Sequence, residues 1–274
     1  MTHMAVLVKS LEEVSQRSVA SVFREQCENV GWPAVDLDRW EGLNEKDLSH
    51  APWQAIVYRT GLHLAESAQL NRSLPYHNHV HISETLVASA WLIHFEYPGE
   101  PQRIAEEGLK LLTVMAAHDL DYETIPASAP KGTAEAHSAH LLCETFQWFD
   151  GLDRHEAILH PLVEAVLGTE PTGCMHANVQ RLLETPEDPE ARLCVLANDA
   201  DLLASVLLET GIERGHRLAQ EWTQRNVPGA DTVASEAGRQ GFLKHATLAS
   251  QAAERSGLRA AKEAQLPKPL RSTP

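Results

Sequence analysis

The sequence predicts an all-α protein. Aromatic residues make up only 5% of the chain, while Ala and Leu are abundant, which favours helices over sheet. Apolar residues recur at helical spacing in one segment after another. No alternating stretch of useful length and no internal repeat stands out.

The first helix is expected over residues 5–30, ended by Gly31-Trp32-Pro33. A short acidic stretch with Asp36, Asp38 and Glu41 follows. Ala51 to about Leu70 reads as a second helix with Pro52 near its start. Asn71-Arg72-Ser73-Leu74-Pro75 is a turn, and a long helix is expected from about Tyr76 to Phe95. Tyr97-Pro98-Gly99-Glu100-Pro101 breaks it. Gln102–His118 is the next helix, with the apolar end Leu111 to Ala117. Residues 124–133 carry two prolines and a glycine and read as a loop. Helices follow at Ala134–Phe149, Glu156–Leu167 and Arg192 to about Thr210. Asp231 to about Ala253 reads as one long helix. The domain reading is an N-terminal helical extension over 1–50, one helical domain over 51–260, and a flexible tail over 261–274, frayed from Pro267.

The chain has 274 residues, 23 Lys and Arg against 38 Asp and Glu, and a formal charge of -15. A surface this acidic repels nucleic-acid polymers and anionic lipid. It leaves room for a small anionic substrate, because a bound divalent cation inverts the local field. No uncharged apolar run is long enough to span a membrane, and Met1-Thr2-His3-Met4 opens no signal-peptide pattern. Cys27, Cys143, Cys174 and Cys194 are widely spaced, as expected of reduced thiols in a cytoplasmic protein. The amphipathic first helix is a candidate homodimer interface. The six tryptophans are expected in the core or in helix packing.

Fifteen histidines are a high count, and they concentrate attention on three clusters. The first is Tyr76-His77-Asn78-His79-Val80-His81. On a helix, His77 and His81 are i and i+4 neighbours, while His79 falls on the far side. Such a pair can ligate one ion, or one ring can ligate while the other moves a proton. The second is His118-Asp119, at the end of an apolar run. An adjacent His and Asp reach one cation only where a helix ends, and the loop that follows supplies that end. A hydrogen-bonded pair at a helix end is the plainer alternative. The third is Asn198-Asp199-Ala200-Asp201 inside an apolar helix, where isolated carboxylates are costly unless matched by charge. At i and i+2 the two acids point apart, so one can ligate while the other caps or faces solvent. Together the clusters offer two imidazoles and two carboxylates. That mixed set suits Zn, Mn, Fe, Co or Ni, with Mg at an oxygen-richer second position.

In order and wording these motifs resemble the HD-domain metal-dependent phosphohydrolases, and most closely the class I cyclic-nucleotide phosphodiesterases. The resemblance rests on Tyr76-His77-Asn78 with His81, on Ala116-Ala117-His118-Asp119, on Val166-Leu167-Gly168-Thr169-Glu170, and on Ala200-Asp201-Leu202. It spans about residues 75–245. It implies an all-α bundle and two divalent metal ions (Zn, Mn, Mg or Fe). His81, His118, Asp119 and Asp201 would be metal ligands, with Asp119 shared by both ions. His77 would be the general acid, with Asp119 the other catalytic group. Asn78, Glu135 and His137 would support the site from behind. Tyr76, Arg239, Gln240 and Phe242 would contact a small phosphorylated substrate. A metal-activated water would then hydrolyse a phosphate ester, with a 3′,5′-cyclic nucleotide as the leading substrate and a nucleotide or metabolite phosphomonoester as the alternative.

The chain also departs from that pattern. Tyr122 stands where those enzymes carry a histidine. Their late Gln-x-Gly-Phe becomes Arg239-Gln240-Gly241-Phe242, which puts Arg239 at the glutamine and leaves it facing a phosphate instead. Two readings from other classes are a di-iron oxygenase, drawing on Glu135, His137 or His140, and a non-catalytic ligand-binding domain.

Overall fold

The computed structural model describes residues 3–48, 50–151, 154–170 and 174–267, with the side chains of residues 45, 174 and 175 excepted. Every regular element among them is helical. The α-helices are α1 (His3–Glu13), α2 (Val19–Asn29), α3 (Ala34–Glu41), α4 (Glu45–Leu48), α5 (Trp53–Ala68), α6 (His79–Glu96), α7 (Pro101–Ala117), α8 (Thr133–Asp150), α9 (Glu156–Leu167), α10 (Cys174–Glu184), α11 (Pro189–Val206), α12 (Leu208–Gln224), α13 (Ala230–Val233), α14 (Glu236–His245), α15 (Gln251–Arg255) and α16 (Leu258–Glu263).

The centre is α6, buried on almost every side and packed by α1, α2, α7, α11 and α15. Its start is set by Asn78, whose side chain accepts from the Val80 and His81 amides as an N-cap. Pro101 opens α7 at the position where a missing N–H costs nothing. The run Leu111, Leu112, Val114 and Met115 in α7 is fully buried, each side chain worth roughly 1.5–3 kcal/mol of transfer free energy. α5 crosses α7 and α2 closely at Gly61, where a Cβ would sit 2.4 Å from the Phe23 ring and 2.6 Å from Thr113 Oγ1. Asp188 caps α11 by accepting from the Glu190 and Ala191 amides.

Several expected boundaries move. The helix over 5–30 is two, because Ser18 turns extended and caps α2 through the Ser21 amide. The helix expected from Tyr76 starts only at His79, so His77 lies in the preceding turn and not one turn below His81. The helix expected to Thr210 ends at Val206. Leu207 is extended (φ -68°, ψ 146°) and α12 begins at once. The single helix over 231–253 is α13, α14 and α15, restarted by the N-caps Ser235 and Ser250. The sequence reading also passes over α3, α4, α10, α12 and α16.

Residues 3–48 are not set apart: Leu7 and Leu11 of α1 and Val22, Phe23 and Cys27 of α2 belong to the same core as α6. The apolar face of α1 is thus spent within the chain. Within the expected tail, α16 runs to Glu263, and Gln265 Nε2 donates to Val206 O at 2.8 Å. Residues 268–274 lie outside the described residues. Trp148 departs from the other tryptophans, being 62% exposed. No helix among the described residues is long and apolar enough to cross a membrane.

Candidate metal centre and cavity

Three helices bring four side chains to one point. His81 stands in the first turn of α6, His118 and Asp119 follow the end of α7, and Asp201 lies in α11. His81 Nε2 is 3.2 Å from Asp119 Oδ2 and 3.1 Å from Asp201 Oδ1. His118 Nε2 is 3.2 Å from Asp119 Oδ2, 3.7 Å from Asp201 Oδ1 and 3.3 Å from His81 Nε2. Ligands about 2.1 Å from one ion lie roughly 3.0–3.4 Å from each other in octahedral or tetrahedral geometry. His81, His118 and Asp119 fit that spacing and have ligand atoms within 4.8 Å of one another, while Asp201 stands 3.1 and 3.7 Å from the two imidazoles. An imidazole and carboxylate donor set suits a first-row divalent cation.

Local structure aims each ligand. Met115 O, 2.8 Å from His118 Nδ1, takes that nitrogen and turns Nε2 inward. The irregular backbone after α7 is what lets His118 and Asp119 share the site. Asn71 Nδ2 donates to Asp119 O at 3.1 Å, and Asn71 O accepts from the His79 amide at 2.9 Å. One asparagine thus ties the start of α6 to the end of α7. His79 itself turns to Asn71 O, away from the cluster. Of the two acids in α11, Asp199 is spent elsewhere. It accepts from the Ala249 and Ser250 amides and from Ser250 Oγ, holding the start of α15. Burial nonetheless lifts its carboxyl to about 6.

The four groups carry complementary charge. Burial works against the His81 imidazolium, but hydrogen bonds to Asp119 and Asp201 outweigh it and raise the group to about 9. His118 is raised for the same reasons. Burial opposes the Asp201 carboxylate too, and the two imidazoles overcome it, holding the group at about 2.

His77 sits beside this cluster. Its Nδ1 is 2.6 Å from Glu221 Oε1, and Glu221 Oε2 accepts from the His77 and Tyr76 amides at 2.9 and 3.0 Å. Burial disfavours the Glu221 charge, but these partners keep its carboxyl below the usual range. Nε2 is then the nitrogen left to face a ligand. Asn78 does not reach the cluster. It shapes the turn that carries His77, donating to Leu74 O and Pro75 O at 2.8 and 3.0 Å while capping α6.

A cavity of about 880 Å³ opens next to the cluster, within the range of small-molecule sites. Tyr76, His77, Asp119, Glu135, Asp201, Arg239 and Phe242 all line it. The Tyr76 hydroxyl is 3.0 Å from Ser205 Oγ. Glu135 feels the neighbouring carboxylates: burial, then Asp119, Glu170 and Asp201, raise its pKa. Other expected residues are engaged differently. Arg239 donates to Ser205 O, Leu207 O and Gln265 Oε1, so its guanidinium covers the open end of α11. Gly211 makes room for it, since a Cβ there would lie 2.4 Å from Arg239 Nη1. Gln240 turns away from the cavity, to Glu236 and Gln265 O. His137 Nε2 lies 3.9 Å from Asp121 Oδ2, beyond hydrogen-bond reach, and His140 is exposed beside Glu144. Neither histidine belongs to the group of described residues whose ligand atoms lie within 4.8 Å of one another.

Sequence reasoning passed over Glu221, Asn71 and the buried pair Glu84–Arg214, which joins α6 to α12 with Arg214 Nε 2.9 Å from Glu84 Oε2. A carboxylate 144 residues from its histidine leaves no local mark. An acid in the middle of an otherwise apolar α6 was a readable signal for Glu84.

The fold is the all-helical phosphodiesterase fold. Among solved structures it is similar to that of the Leishmania cyclic-nucleotide phosphodiesterase LmjPDEB1, solved in complex with IBMX. The TM-score is 0.59 at 16% sequence identity, covering 94% of this chain and 85% of that one. No protein-family model and no curated protein matches the sequence.

Proposed function

We propose that this chain is a metal-dependent phosphohydrolase acting on a small phosphate ester, with a 3′,5′-cyclic nucleotide as the leading substrate. The observation that carries the reading is the pairing of His81 and His118 with Asp119 and Asp201 at 3.1–3.7 Å, beside a Glu221-bound His77. The likeness in fold to a phosphodiesterase supports it. A divalent cation held by these four side chains would draw charge from a phosphoryl oxygen and acidify a water. A second ion would share Asp119, with Glu135 nearby. The residues then divide the work. Asp119 and Asp201 set the charge that attracts cations into an acidic cavity. Glu221 accepts from His77 Nδ1–H and orients the ring so that Nε2 faces the cavity, and His77 acts as donor with both ring nitrogens protonated. His77 delivers a proton from Nε2 to the leaving oxygen as the P–O bond breaks, a step typically worth about 10²–10⁴ in rate. Tyr76 and Phe242 wall the cavity against the rest of the substrate.

The test is hydrolysis of cyclic AMP and cyclic GMP by Mn²⁺-loaded protein, with Asp119→Ala as control. Turnover that vanishes in the variant is expected. A metal-loaded protein that turns over neither, and no nucleoside monophosphate either, would remove the reading.

A further inference from the structure

The His77 ring is held by more than its hydrogen bond. The Tyr122 ring stacks flat on it, with centroids 3.9 Å apart and planes 16° from parallel. The Tyr76 ring meets it edge-on at 4.8 Å. Arg225 backs Tyr122 in turn, its guanidinium 4.7 Å from the ring centroid, while donating to Ile125 O and lying 3.8 Å from Glu221 Oε1. The backbone is bent to permit this. Asp121 adopts a left-handed conformation (φ 52°), and the 3₁₀ turn Tyr122–Thr124 follows at once. A hydrogen bond at Nδ1 alone leaves an imidazole free to rock about the line to its acceptor. A ring laid on its face removes that freedom, and the cation behind the tyrosine adds to the attraction.

We propose that Tyr122 is a positioning residue for His77, locking the imidazole plane so that Nε2 points at the leaving oxygen; this rests on the proton-donor role given to His77 above. As the oxygen of the attacking water bonds to phosphorus, the bond to the leaving oxygen breaks and the proton on Nε2 passes to that oxygen. Displacing the donor by about 1 Å costs on the order of 10²-fold in rate. An ester whose leaving group departs as a stable anion needs no such proton.

The experiment compares wild type, Tyr122→Phe and Tyr122→Leu, Mn²⁺-loaded, on cyclic AMP and on bis(p-nitrophenyl) phosphate. For Tyr122→Leu, kcat on cyclic AMP is expected to fall about 10- to 100-fold with KM little changed. The p-nitrophenyl ester should lose about twofold or less, since its leaving group needs no donor. Tyr122→Phe keeps the stacked ring and should match wild type on both. Equal losses on both substrates, or no loss on cyclic AMP, would overturn the proposal. Tyr122→Met takes the place of Tyr122→Leu if circular dichroism shows that the latter does not fold. A second readout does not depend on turnover. In the proteins treated with EDTA, free of paramagnetic Mn²⁺, the His77 Nδ1 proton bonded to Glu221 should give a sharp downfield NMR resonance in wild type and Tyr122→Phe, and broaden away in Tyr122→Leu. If wild type hydrolyses neither ester, the phosphohydrolase reading fails by itself and this resonance still decides the positioning. Its persistence in Tyr122→Leu would overturn it.

Discussion

Asn78 illustrates how a residue read as a neighbour of the chemistry acts through the backbone. Its side chain ties Leu74 and Pro75 to the first amides of α6, so one amide group sets both the turn carrying His77 and the turn carrying His81. Removing it as Asn78→Ala should cost about 1 kcal/mol, the usual worth of such a cap. That corresponds to a fall in Tm of about 2–4 °C for a chain of this size. Because the ligand His81 is aimed by the same cap, Mn²⁺ affinity should drop about tenfold. Calorimetric unfolding and metal titration would check both. The four residues proposed as ligands are legible because their spacing and context are local or strongly patterned. Glu221 was not, since nothing near it in the chain records that His77 lies against it.

The boundary between α11 and α12 has a non-local cause. α11 and α12 are parted at Leu207 without a glycine or proline, and side chains, most of them distant in sequence, occupy the carbonyls at the break. Arg239 takes Ser205 O and Leu207 O, Gln265 takes Val206 O, and Thr210 takes Ala204 O. Helical periodicity cannot register partners 32 to 59 residues away, so the pattern alone runs past the boundary. By contrast, α9 and α7 were placed almost to the residue, because Pro101 and the loops flanking them are local signals. The proposed structural role of Arg239 has a clear outcome. Arg239→Met should lower stability by about 1–3 kcal/mol through its lost hydrogen bonds, about 1 kcal/mol apiece. KM for a phosphate ester should change little. A large rise in KM at unchanged Tm would instead put the guanidinium on the substrate. Thermal unfolding beside steady-state kinetics separates the two.

At the scale of the whole molecule, the metal-free protein keeps its ligand cluster as a set of mutually paired charges. His81 is lifted from 6.5 to about 9 by Asp119 and Asp201 against the cost of burial. Its pairing therefore contributes stability that is complete below pH 6.5 and is lost as pH rises through about 9. A cation needs the same imidazole nitrogens unprotonated, so its affinity should rise across that window as protons are released. With EDTA, Tm is expected to fall between pH 6.5 and 9. With Mn²⁺ at about a hundred times its Kd, roughly 2.7 kcal/mol of added stability should hold Tm up over the same range. Parallel melting curves would show the two diverge with pH, and curves that stay parallel would count against the cluster as a cation site.

The ligands also stand far apart along the chain: His81 opens α6, His118 and Asp119 close α7, and Asp201 lies deep in α11. No local segment holds more than two of them. The site cannot exist until three remote helices have docked, so it is absent from early folding and present only in the finished bundle. An ion bound there would act on the exit from the native state, lengthening the lifetime of the folded protein while leaving its rate of formation untouched.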